Sequence, residues 1–140
     1  MAVFRRFGES KTKISTAETA KEIIARAKSQ FVKRMVREIP SWVKKTFTNG
    51  RVAVVKGGAG SDHYIKIDGK TAVWYYFAQN WVFVQFNEMT KEEKRALEQG
   101  LTKKDSILER TYGGKVRFHL INDKDFEVFS RIVKDRARKS

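Results

Sequence analysis

Between Thr16 and Glu38 the apolar residues Ala20, Ile24, Ala27, Phe31 and Met35 recur at spacings of four, three, four and four, widened by Ile23, Val32 and Val36. That is one face of a 3.6-residue period, and it predicts a single core-facing helix of about six turns, entered through a cap at Ser15 or Thr16. Pro40 lacks an N–H and biases Ile39 toward extended geometry, so the pattern predicts that this helix stops there and that a short second one, "SWVKKTF", starts from Ser41.

After Thr48-Asn49-Gly50 the period changes to two. "RVAVV", "HYIKI", "TAVWYYF" and "WVFVQF" are short runs of branched and aromatic residues separated by "KGGAGSD", "DGK" and "AQN", which predicts an antiparallel meander. With the last turn at Gln79-Asn80, Asn80 taking positive φ, Phe77 pairs with Val82, Tyr75 with Val84 and Val73 with Phe86. Ala72, Trp74 and Tyr76 then share the other face with Phe83, Gln85 and, near the turn, Trp81. Further on, Thr90 and Glu93 form a capping box for a helix over "KEEKRALEQG", and residues 102–109 read as another short helical segment. "KVRFHLI" is a fifth strand, and Asn122 caps a final helix with Phe126, Phe129, Ile132 and Val133 inward. The fold expected is α+β: an antiparallel sheet of about five strands, with an N-terminal helical pair and C-terminal helices packed on one or both faces. A flexible basic arm (1–14), a single domain (15–137) and a basic tail (138–140) complete the expected organisation.

Charge adds the class of partner. The 140 residues carry 30 Lys and Arg against 16 Asp and Glu, a formal net charge of +14. Residues 1–50 hold 12 basic and 4 acidic side chains, 51–100 hold 7 and 6, and 101–140 hold 11 and 6, so the excess sits at the two ends. Such a chain attracts polyanions. Zero cysteines remove disulfides, zinc-thiolate sites and thiol nucleophiles, and two histidines weigh against a protein-only transition-metal site; no cofactor is expected. No apolar run is long enough to span a bilayer. The start, "MAVFRRFGESKTKIS", loosely resembles a mitochondrial targeting segment but reads rather as a basic arm. The expected location is intracellular, cytoplasmic or nucleoid-associated.

Candidate nucleic-acid contacts follow from placement. Arg26, Lys33 and Arg37 lie opposite the Ile24/Phe31 stripe, Arg131, Lys134 and Arg138 lie opposite Phe129, and Lys115, Arg117 and His119 share one face of their strand. Arg5, Arg6, Lys11 and Lys13 supply the arm. The stretch 71–86 holds seven of the seventeen aromatic residues and no charge. It reads first as core under helices, with Trp74, Tyr76 and Trp81 the residues that reach a surface; Trp81, at the turn end, is the candidate stacking contact and Trp74 the more structural ring.

Catalytic patterns are weaker. "KGGAGSDH" lacks the Lys-Ser/Thr pair of a nucleotide-binding loop, leaving Lys56 and His63 as phosphate contacts at most. Asp62 with Asp68-Gly69-Lys70 resembles a metal-nuclease triplet, but Asp-Gly is ordinary turn chemistry. His63, His119 and Tyr112 could serve a metal-free ribonuclease, although nothing in their spacing brings them together. The function expected is non-catalytic binding of DNA or RNA, mainly through phosphate contacts from the arm and the basic helices. The alternatives are a small nuclease, metal-free or metal-dependent, and an interaction subunit that meets an acidic protein, a second copy or an anionic membrane surface.

Overall fold

The computed structural model describes residues 16–109 and 114–139. Its elements run α1 (Ala20–Arg26), α2 (Gln30–Thr46), β1 (Val52–Lys56), β2 (His63–Ile67), β3 (Lys70–Phe77), β4 (Val82–Phe86), α3 (Lys91–Gly100), a 3-10 turn (Lys104–Ser106), β5 (Leu108–Glu109), β6 (Val116–Leu120) and α4 (Asp123–Lys139). The fold is α+β, with all six strands antiparallel in the order β1-β2-β3-β4-β6-β5. The sixth strand, β5, falls where a helical segment was expected. Ser106 closes the 3-10 turn and accepts a hydrogen bond from the His119 N–H at 3.0 Å, which brings Leu108 opposite Arg117 on the edge of β6.

The single N-terminal helix of the sequence pattern is two helices. Thr19 caps α1 in a capping box with Glu22, and Ser29 caps α2. Between them the N–H groups of Lys28 and Ser29 both donate to the Gln79 carbonyl, at 2.9 and 3.1 Å. These donors would have continued the helix, and a distant hairpin turn takes them instead. Pro40, by contrast, does not end a helix: α2 runs through it to Thr46. The missing N–H and ring clash cost about 3 kcal/mol. Ile39 and Val43, on either side, are buried on the same stripe as Phe31, Val32, Met35 and Val36. Keeping those two in the core returns roughly 1.5–3 kcal/mol each, so continuation wins.

Residue pairing in the β3–β4 hairpin is the expected one, Phe77 with Val82, Tyr75 with Val84 and Val73 with Phe86. Positive φ is found at Asp68 and Glu88 rather than at Asn80. Along β2, β3, β4 and β6 fully buried residues alternate with half-buried ones. The buried set, including Ile65, Val73, Phe77, Val84 and Phe118, joins Phe31 and Met35 of α2 and Phe129 and Val133 of α4 in one core. Helices therefore cover one face of the sheet, and among the described residues no helix covers the other, the arrangement an antiparallel sheet tolerates.

Asp125 ties the second half together. It is fully buried, and its carboxylate accepts from the N–H of Thr102 at 2.8 Å and of Ile121 at 2.9 Å, joining the segments after α3 and β6 to the start of α4. Asn122 caps α4 by accepting from the Asp125 N–H at 3.0 Å. Asp125→Ala should strand two backbone donors at about 1–3 kcal/mol each. Chemical denaturation should show that loss, and a smaller one for Asp125→Asn, which keeps one acceptor.

Candidate nucleic-acid interface

Strand register lays the outward side chains of the open face in rows. Val55 pairs with Tyr64, Tyr64 with Trp74, Trp74 with Gln85, Gln85 with Arg117 and Arg117 with Leu108, one row across all six strands. At ~4.8 Å between strands the row is roughly 24 Å long. A second row carries Tyr76, Phe83 and His119. The two exposed large hydrophobic residues among those described, Val55 and Leu108, sit at the two ends of the first row.

These rings are half-buried because they lean on one another. Tyr76 stacks on Phe83 at 4.5 Å between centroids, Trp81 stacks on His119 at 4.6 Å with planes 5° apart, and Trp74 tilts against Tyr76 at 5.0 Å. Beside Trp74 the face dips into a recess of about 390 Å³ bordered by Thr71, Gln85, Asn87, Lys115 and Arg117.

Arg117 lies among the rings, its guanidinium 5.9 Å from the Trp74 centroid, 5.6 Å from Phe83 and beside the Tyr76 hydroxyl. Four arginines are half-buried among the described residues. Arg26 binds Glu18 at 2.7 Å, Arg51 binds Asp68 at 2.9 Å and Arg136 binds Glu93 at 2.9 Å. Arg117 has no carboxylate partner among the described residues. Half-burial of a cation without an anion carries a desolvation cost. The outward strand positions of this face are uncharged or basic, with Lys66 and Lys115 alongside, and Asp62 and Asp105 act on Tyr76 and His119 from outside the strands.

The structure sorts the expected contacts. Lys115 and Arg117 share the open face with Trp81, whose indole Nε1–H is buried without a partner among the described residues. Trp74 and Trp81 are both half-buried, and it is Trp74 that borders the recess. The ridge of Arg26, Lys33 and Arg37 does not exist as such, because Arg26 belongs to a separate helix and donates to Glu18 and to the Phe77 carbonyl at 2.7 Å. Lys33 is half-buried and Arg37 exposed on α2. Arg131, Lys134 and Arg138 are exposed on the outer side of α4, Arg131 at 3.8 Å from Glu127 and Arg138 at 3.0 Å from Asp135. They project from the helical layer, away from the open sheet face. Arg5, Arg6, Lys11, Lys13 and Tyr112 lie outside the described residues. Tyr64, Lys66 and Asn87 were not singled out by the sequence; the first two come to this face through pairing with β3 across an irregularity at Ile65/Lys66.

The ribonuclease pair is not assembled. His63 faces the core side, stacked on Tyr75 at 5.1 Å with its Nδ1 2.7 Å from the Ser61 carbonyl, whereas His119 is on the open face with β3 and β4 between them. Asp68 and Gly69 form the β2–β3 turn at φ 52° and 81°. Among the described residues no three His, Cys, Asp or Glu side chains converge, and no helix is long and apolar enough to cross a membrane. No protein-family model, curated protein or solved structure matches the chain.

Burial holds His119 below its ordinary value, helped by Lys103 and Arg117 and opposed by Asp105. Burial likewise lowers His63, opposed by the Ser61 carbonyl and helped by Lys56. The folded state thus favours neutral rings, and as pH falls through about 6.5 the unfolded chain takes up protons first. Stability present above that pH is lost below it. Thermal melts should fall between about pH 7.5 and 5.5, and the slope should flatten when His63→Gln and His119→Gln are combined.

Proposed function

We propose that the chain binds single-stranded nucleic acid on its open sheet face, without catalysis. Unpaired bases lie against Trp74, Tyr76, Phe83 and Trp81, and Lys66, Lys115 and Arg117 meet the strand's anionic and acceptor groups. The observation that carries this reading is Arg117, among the described residues the half-buried arginine without a carboxylate, set among aromatic rings on the face that no described helix covers. Single strands fit better than duplexes because only unpaired bases offer a free π face, each stack being worth about 1–3 kcal/mol. The net charge of +14 steers any polyanion toward the protein. The basic residues of α2 and α4 serve that long-range attraction, since they stand on the other side of the molecule from the rings.

The exposure of Val55 and Leu108, 39% and 53%, favours a second reading in which another protein chain covers the same face. Salt separates the two. With three cationic contacts and a slope of about 0.7 per contact, affinity for an oligonucleotide should fall roughly twentyfold between about 50 and 200 mM salt. A flat response overturns the nucleic-acid reading, and a fall on the order of a thousandfold brings the helix cations into contact. Tyr76→Leu and Trp81→Leu, which keep apolar bulk but remove the π face, should each cost about 1–3 kcal/mol of affinity for a single strand. Arg131→Gln, Lys134→Gln and Arg138→Gln together should leave affinity within about twofold, as expected of cations that steer without touching the strand.

A further inference from the structure

The two rows of the open face differ in chemistry. Tyr76, Phe83 and His119, with Trp81, offer rings to a base and no amide. The row beside Trp74 borders the recess of about 390 Å³, where Gln85, Asn87, Thr71 and Arg117 gather donors and acceptors. Sequence-tolerant stacking requires no such set, because every base has a π face. Hydrogen-bonding side chains beside a ring are what base discrimination requires.

We propose that the recess takes one unpaired base and selects guanine, an inference that rests on the single-strand reading above. Arg117 is a donor only, and its planar fork is oriented by Trp74 and Phe83. A guanidinium fork matches two neighbouring acceptors, which guanine presents at O6 and N7, the commonest specific contact of arginine with a base. Adenine places its N6 amino group where O6 would be, donor against donor. Asn87, which also lines the recess, already donates from Nδ2 to the Thr71 carbonyl at 3.3 Å, which orients its Oδ1 and leaves it able to accept. Guanine has N1–H and N2–H₂ to give to such an acceptor. Gln85, between Trp74 and Arg117 in register, both donates and accepts. Pyrimidines present a smaller ring to Trp74 and fewer edges to these groups. Lys115, exposed at the rim, is placed for the adjoining phosphate.

The test is titration of four heptamers, three uridines on each side of a central G, A, C or U, against the full chain. Guanine should bind roughly 5- to 150-fold more tightly than the others, the range of a good bidentate contact. Arg117→Lys, which keeps the charge and loses the fork, should reduce that preference to about twofold or less, the guanine heptamer losing more affinity than the all-uridine one. Asn87→Ala should erode the preference in the same direction, and melts of both variants check that the fold is intact. Free 5′-GMP should compete at least tenfold more weakly than the guanine heptamer, because it lacks the neighbouring bases that stack. Equal binding of all four heptamers, or preference for another base, overturns the guanine site while leaving the single-strand reading standing. Equal competition by GMP assigns the recess to a free nucleotide and overturns the strand-borne guanine. Failure of every heptamer to bind overturns both.

Discussion

Because side chains alternate along a strand, the pairing of Phe77 with Val82 decides which residues of the aromatic stretch lie under the helices and which face outward. A slip of one residue would turn one strand over against the other, carrying either Trp74 and Tyr76 or Phe83 into the core and exposing Tyr75 and Phe77 or Val84 in exchange. Several contacts hold the register at the turn end. Ala78 donates to the Trp81 carbonyl at 3.0 Å, and the Gln79 carbonyl accepts from Lys28 and Ser29. Arg26 donates to the Phe77 carbonyl and Ser61 Oγ accepts from the Phe77 N–H at 2.8 Å. The break between α1 and α2 is thus part of the clamp on the hairpin, and the open face is built from the helical side.

One helical layer over one sheet face leaves a surface that must be stable in water while rich in rings. Mutual stacking among Trp74, Tyr76, Phe83, Trp81 and His119 removes part of their apolar area without hiding it all. Cation–π contact with Arg117 supplies further attraction at the centre. Tyrosine and tryptophan suit such a half-wet position, since each has an apolar body and a polar edge.

Electrostatics divides the same way. Acidic side chains are scarce, 16 against 30 basic ones, and the half-buried carboxylates Glu18 and Glu93 serve structural arginines on the helical side. Arg26 and its hydrogen bond hold Glu18 below its usual range, and Arg136 and the Thr90 N–H outweigh burial to do the same for Glu93. The outward strand positions hold Lys66 and Arg117, with Lys115 alongside, and no carboxylate, while Asp62 and Asp105 act on Tyr76 and His119 from outside the strands.

Local signals were legible wherever both ends of an interaction lie close in sequence. The capping box of Thr90 and Glu93, the Asn122 cap, the α+β order and the hairpin pairing all appear as the sequence pattern implies. The inward set Phe129, Ile132 and Val133 follows from helical period alone. The break at residues 27–29 was hidden because its cause, the Gln79 carbonyl, lies on another element. So was β5, a two-residue strand that exists only where β6 offers an edge. Helical periodicity put Arg26 with Lys33 and Arg37, yet Glu18 and the Phe77 carbonyl take it, while Arg117 meets rings and, among the described residues, no acid. Alternation along the chain determined that two faces would differ in kind; only tertiary packing decided that helices would cover one of them and leave the aromatic face open, because the layer that buries a sheet comes from residues far away in sequence.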